Sequence, residues 1–203
     1  MEMSERNVAR RQFFDASAHG WEERNYPPEV RLRLEAALER VTLCEGMSVL
    51  DVCCGQGILQ PYLRQRVGET GRLAALDFSP AMLSGVARKY PFVWPLLARA
   101  EEIPLLHDFV DVLLCFSAFP HIEDKDAAVR EFFRVLKPGG RAYVMHLEGR
   151  EKLNAMHDRY HAVRGDHMPC DRGMRTLFEQ AGFSYIESDE SAEHYYFCAC
   201  KAG

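Results

Sequence analysis

Ser48-Val-Leu-Asp51-Val-Cys53-Cys54-Gly55-Gln56-Gly57-Ile58 decides how this chain folds. Residues 49–52 form a short apolar run broken by one acid, the pattern of a buried strand in a parallel sheet. The run ends in two cysteines and a Gly-x-Gly turn, and residues 58–66 then mix apolar and polar side chains as a helix does. Strand, glycine turn and helix leave free backbone N–H groups at a helix N-terminus, where a polar ligand can be held closely. Glycine is needed at such a turn because a residue without Cβ lets the ligand lie against the main chain.

Two kinds of turn share this outline. A dinucleotide-binding turn has G-x-G-x-x-G/A, and here Gln60 stands in the place of the third small residue. What is present is an acid at the strand end, Asp51, followed by small-x-Gly-x-Gly. Further segments follow in order. Leu73-Ala-Ala-Leu-Asp77-Phe78-Ser79-Pro80-Ala-Met82-Leu83 reads as a second strand, its terminal acid and a helix with Ser79 as N-cap and Pro80 at its first position. Ala98-Arg99-Ala100-Glu101-Glu102-Ile103-Pro104 follows a third strand over residues 93–98, and residues 109–116 read as a fourth. Arg134-Val-Leu-Lys137-Pro138-Gly139-Gly140 then ends a helix and turns into a fifth strand reaching His146.

Together these segments, over about residues 45–150, resemble the class I S-adenosylmethionine-dependent methyltransferases. Their first motif is usually D/E-x-G-x-G-x-G, and Cys53 takes the place of the first glycine here; similar Cys-Cys-Gly versions occur among quinone-biosynthesis members. The resemblance implies a doubly wound, Rossmann-like α/β fold. Its seven-stranded sheet would run in the order 3-2-1-4-5-7-6, the last strand antiparallel, with helices on both faces. It also implies S-adenosylmethionine as cofactor. Asp51 and the turn carrying Cys53, Gly55 and Gly57 would position the methionine portion. Asp77, twenty residues after Gly57, would take both ribose hydroxyls, which a carboxylate can accept together. Phe78 and Met82 would cover one adenine face, Ala100 and Glu101 would meet its edge, and Phe116 and Ser117 would lie beneath the methyl. Arg99 stands where many members have the aspartate that bonds the adenine amino group, so that contact passes to Ala100 or Glu101.

The chain has 203 residues, about one domain, with 47% hydrophobic and 27% charged residues. Its net charge of -5 argues against a general nucleic-acid grip, which needs a basic face. No apolar run approaches the roughly 20 residues of a membrane helix, and the N-terminus lacks the apolar core of a secretory signal. Seven cysteines in mostly strand-like contexts, without a Cys-x-x-Cys, suit a reducing cytoplasm rather than a disulfide framework or zinc knuckle. A single domain spanning 1–203 is expected, with residues 1–42 a helical N-terminal segment. There, Val8, Phe13, Phe14 and Trp21 suggest either a lid over the cofactor or a helix packed at the sheet edge. Later in the chain, helices are expected over 124–136, 150–163 and 172–181, and strands over 183–187 and 193–201.

In an open α/β sheet ligands collect beyond the carboxyl ends of the strands. Strand four exits through Phe116-Ser117-Ala-Phe-Pro-His121, and strand five through Met145-His146. The activity implied is methyl transfer to a small-molecule acceptor. His121 is the first candidate for the base that removes the acceptor's proton and His146 the second, since neutral imidazole can do this near pH 7. Each could equally be a loop histidine that only holds backbone. A different use is a divalent metal on His121, His146 and His157, five of the eight histidines lying between residues 121 and 167. Two other functions remain open: a cofactor-binding sensor or scaffold without transferase activity, and a nucleotide-dependent oxidoreductase. Oligomeric state is not legible.

Overall fold

In the computed structural model, which describes residues 3–203, seven strands pair into one mixed sheet. They are β1 (Ser48–Val52), β2 (Arg72–Asp77), β3 (Val93–Leu97), β4 (Val110–Phe116), β5 (Leu136–His146), β6 (Phe183–Glu190) and β7 (Tyr195–Lys201). Their order is β3-β2-β1-β4-β5-β7-β6, as the sequence led us to expect. The pairs from β3 through β5 are parallel, while β7 runs antiparallel to both β5 and β6. Between them lie α1 (Glu5–Ser17), α2 (Trp21–Asn25), α3 (Pro28–Leu38), α4 (Gln60–Val67), α5 (Pro80–Lys89), α6 (Lys125–Val135), α7 (Arg150–His157) and α8 (Asp171–Ala181).

Every residue of β1 is buried because helices cover both faces of the sheet. Leu50 and Val52 join Phe132 of α6 and Phe178 of α8 on one side. Val49 joins Leu34 and Leu38 of α3, Leu63 of α4 and Val86 of α5 on the other. Each such side chain contributes roughly 1.5–3 kcal/mol by leaving water, so β1 is clamped and its C-terminal tip is a fixed point. Strand β3 is the edge, where Pro95 can be tolerated because one side of the strand needs no partner.

Three elements differ from the sequence reading. Lys137-Pro-Gly-Gly does not precede the fifth strand but lies inside it as a bulge: β5 advances from Leu136 to Arg141 while β4 advances only from Val110 to Val112. The helix expected over 150–163 stops at His157, and a separate helical turn covers His161–Val163. The strand starting at Phe183 runs on to Glu190, because pairing with β7 carries it past the stretch that looked strand-like alone.

The N-terminal helices cross the carboxyl ends of β1, β2 and β4. Asp15 of α1 accepts hydrogen bonds from the Ser79 hydroxyl (2.5 Å) and from the Ala81 backbone N–H (3.3 Å), which docks α1 on the start of α5. At the end of α1, the Ala18 carbonyl accepts from Gln56 Nε2 (2.6 Å), joining the helix to the glycine turn.

Candidate active site

Two cavities open at the carboxyl ends of the central strands. The first lies over the tips of β1 and β2, beyond the carboxyl ends of the strands where open α/β sheets hold ligands. Of the cofactor residues expected from sequence, Asp51, Cys53, Gly55, Asp77, Phe78, Met82, Ala100, Glu101, Phe116 and Ser117 all line it. Gly57 does not. Its φ of +88° requires glycine, and an added Cβ would sit 3.0 Å from the Tyr90 ring, so it packs the turn rather than facing a ligand. Gly55 is the open glycine. With φ +55°, its added Cβ would meet only Trp21 Nε1, at 3.8 Å.

The turn is held by side chains the motif alone did not reveal. Gln60, in the place of the third small residue, is fully buried and donates from Nε2 to Asp51 Oδ2 at 2.8 Å. Cys53 takes φ +57°, the left-handed conformation that glycine would adopt freely and that costs a side-chain residue roughly 1–2 kcal/mol. A hydrogen bond to the Cys115 thiol, together with burial, pushes the Cys53 thiol well up, so it stays protonated.

Asp77 is buried at the end of β2 and accepts from the N–H of Gly55 through Oδ2 and from that of Ser79 through Oδ1, each at 2.9 Å. A carboxylate has about four acceptor positions, so both oxygens keep capacity for further donors. Burial raises its pKa to about 6, against the lowering effect of those N–H groups. Asp51 is pushed further, to about 8, by burial, although its bond from Gln60 opposes the rise. Glu22 Oε1 is buried without a partner. The lining contains five carboxylates (Glu22, Asp51, Asp77, Glu101, Glu123) against one arginine, Arg99. Arg99 is itself committed to Glu101, 2.9 Å away, in place of the aspartate expected at that position. A hydroxyl-rich ligand bearing positive charge fits this set of acceptors. S-adenosylmethionine, with its ribose, ammonium and sulfonium, is such a ligand.

The second cavity lies beside the first and shares Phe14, Trp21, Tyr26, Ser117 and His121 with it. Its far wall carries His146, Leu147, Leu153, Met156, His157 and Tyr160. His121 therefore stands on the border, its ring edge-on to Phe14 at 5.4 Å between centroids. Its Nδ1 is 2.8 Å from Asp166 Oδ2. His157 donates from Nδ1 to the Asp166 carbonyl at 2.6 Å, and its ring lies 4.7 Å from that of His121.

His146 is buried, and burial lowers its pKa to about 3, with His121 and His157 pushing the same way. A ring that resists protonation so strongly is a poor base near pH 7, which leaves His146 as a neutral hydrogen-bonding wall whose Nε2 has no partner. The metal reading of His121, His146 and His157 gains no support from the geometry. The three rings do come together, but among the described residues no group of three His, Cys, Asp or Glu side chains is arranged to hold an ion. Two of the rings are instead turned onto Asp166 through Nδ1. Asp166 stands out in the sequence only as an acid beside His167; its approach to His121, 45 residues away, has no signal there. Trp21 and Phe14 were visible only as lid-like aromatics.

Fold and site define a doubly wound domain with an acidic cavity at its first two strand tips. Residues 50–144 match a family model described as a methyltransferase domain. The 2-phytyl-1,4-naphtoquinone methyltransferase of Thermosynechococcus vestitus is 35% identical over 115 residues, 55% of this chain and 51% of that protein. The ubiquinone/menaquinone biosynthesis C-methyltransferase UbiE of Vibrio vulnificus is 33% identical over 126 residues, 57% and 47% of the two chains. The matches thus span about half the length of these curated relatives. Among solved structures, a SAM-dependent methyltransferase from Aquifex aeolicus superposes with a TM-score of 0.73 at 24% identity, covering 90% of this chain and 97% of that one. The domain match, these relatives and the shared fold support a class I S-adenosylmethionine-dependent methyltransferase.

Proposed function

We propose that this protein transfers a methyl group from S-adenosylmethionine to a small molecule held in the histidine-walled cavity. The observation that carries this reading is the shared border: five side chains, His121 among them, line both cavities. Asp77 would hold the ribose, Asp51 and Glu22 the cationic methionine end, Gly55 the backbone approach, and Phe78 with Met82 the adenine face. Bound S-adenosylmethionine would supply its sulfonium methyl as the electrophile, with the sulfur as a leaving group that becomes a neutral thioether. The protein's part is orientation at attack distance and removal of a proton. His121 Nε2 takes the acceptor's proton as the acceptor's electron pair forms its bond to the methyl carbon.

The acceptor cavity has aromatic and aliphatic walls, with three histidines and the side chains of Arg24, Asn25, Arg33 and Glu148 among its polar groups. That lining suits a flat ring carrying a hydroxyl, and quinone-pathway relatives support a hydroxylated aromatic acceptor. Helix α1 serves as the lid, since Phe14 walls both cavities and Gln56 and Ser79 tie it down. Among the described residues no helix is long and apolar enough to cross a membrane, and the seven unpaired thiols suit a cytoplasmic setting.

Calorimetric titration with S-adenosylmethionine and S-adenosylhomocysteine, with Asp77→Ala as control, tests the cofactor half. Methyl transfer from labelled donor to a panel of hydroquinones and phenols tests the acceptor half. Tight binding without transfer to any acceptor would favour a sensor or scaffold instead.

A further inference from the structure

The carboxylate of Asp166 is wholly enclosed, and each of its hydrogen-bonding directions is taken. Oδ1 accepts from Arg6 Nη2 (2.7 Å) and from Arg10 Nη2. Oδ2 accepts from Arg10 Nε (3.0 Å) and lies 2.8 Å from His121 Nδ1. The main chain is fixed as well: its N–H donates to the Val163 carbonyl at 2.9 Å, and its carbonyl accepts from His157. Around this centre stand Arg6 and Arg10 of α1, Lys125 of α6, His146 of β5, His157 of α7, and Glu123 ahead of α6. Lys125 Nζ donates to the carbonyls of Pro120 and Ile122 on either side of His121, so the backbone carrying the ring is pinned too.

A buried carboxylate is ionised only where donors outnumber the cost of leaving water. Burial pushes Asp166 up, but its bonds from His121 and Arg10 outweigh that and hold it at about 2. An ionised carboxylate can only accept, so the His121 nitrogen facing it must carry the proton. Nε2 is then the nitrogen with a free lone pair, on a ring that borders both cavities.

We propose that Asp166, held by Arg10 of the α1 lid, is the positioning residue for His121. It fixes the Nδ1–H tautomer, presents Nε2 to the acceptor, and stabilises the imidazolium formed when the acceptor's proton arrives. This deepens the methyl-transfer reading and rests on it for the catalytic consequence, though the tautomer itself does not. Because α1 supplies Arg6 and Arg10, the base is set only while the lid is docked. Cofactor closure and base orientation are thereby a single event.

The test is Asp166→Asn against wild type, read by ¹⁵N-histidine NMR and by steady-state methyl transfer. In the variant the arginines claim the amide oxygen, which leaves its NH₂ against His121 Nδ1 and forces the proton onto Nε2. Expected is an Nδ1–H tautomer for neutral His121 in wild type and Nε2–H in the variant. The kcat should fall at least about 100-fold, with acceptor KM and S-adenosylhomocysteine affinity within about threefold. His121→Ala combined with Asp166→Asn should lose no more than His121→Ala alone. An Nε2–H tautomer in wild type overturns the proposal, and that spectrum needs no variant to fold. A variant whose kcat stays within about threefold of wild type overturns it as well. If wild type methylates no acceptor, the methyl-transfer reading fails, and the two spectra still decide whether Asp166 sets the ring.

Discussion

The cavity proposed for the cofactor and the one proposed for the acceptor touch at five side chains but are assembled in opposite ways. The first is built at strand tips from short consecutive segments: a glycine turn, a strand-end acid, and the loop after β3. Its donors are largely backbone N–H groups, such as those of Gly55 and Ser79 on Asp77. The second is built from side chains that meet across long separations, with Arg10 and Asp166 156 residues apart and His121 and Asp166 45 apart. Cofactor recognition can therefore tolerate change around it, whereas acceptor chemistry depends on a few buried ionic contacts.

Ligand affinity should separate the two most strongly. Asp77→Asn should weaken S-adenosylhomocysteine binding about 1,000-fold, roughly 4 kcal/mol for charged hydrogen bonds to two hydroxyls. His121→Ala should leave that affinity within about threefold while it removes most of the methyl-transfer rate. Equal effects of the two substitutions on affinity would show that the cavities are not separate functions.

Stability should separate them in the other direction. Arg10→Met leaves the Asp166 carboxylate short of its best donor in a buried site, and should cost about 3–5 kcal/mol. Thermal denaturation would register this as a fall of roughly 10 °C for a chain of this size. A fall of only a degree or two would mean that α1 is not anchored there.

The two motif glycines sharpen the contrast inside the cofactor half. Gly55→Ala places a methyl group in open cavity, and should reduce affinity about tenfold beside a backbone cost of roughly 1–2 kcal/mol. Gly57→Ala pushes instead against Tyr90 and Gln60. It should lower stability by a similar or larger amount while changing affinity little. The reverse pattern would return Gly57 to the ligand surface.

The smallest effect is on pH. Burial raises Asp51 from 3.8 to about 8 and Asp77 from 3.8 to about 6. Both keep protons that the unfolded chain has lost, so their burial costs stability increasingly as pH climbs from 3.8 through those values. A cationic ligand favours the ionised forms. Its binding should release protons, and affinity for S-adenosylmethionine should rise about tenfold from pH 6 to pH 8, as titration in buffers of different ionisation enthalpy would show.

The sheet order and the clustering of residues around the first cavity were legible because those residues are local and their periodicity is strong. Val49 to Val52, the Gly55 turn and Asp77 lie within 29 residues and follow strand order. Gln60 looked like a defect in the glycine pattern, yet it is the donor that holds Asp51. Gly57 looked like a ligand glycine and is a packing one, because which glycine of a turn faces outward depends on what Tyr90 does 33 residues later. The histidines were visible as types, but their division of labour was not. Burial makes His146 a weak base, and only the return of residues 157–168 toward α1 brings Asp166 to His121. Nothing in the local pattern around Asp166 encodes that approach.

A crystal structure with S-adenosylhomocysteine bound reads the arrangement directly. It should show the ribose hydroxyls within hydrogen-bond distance of Asp77 and the sulfur facing the border formed by Ser117 and His121. A nucleoside lying elsewhere, or an Asp77 carboxylate with no contact to its sugar, would contradict it.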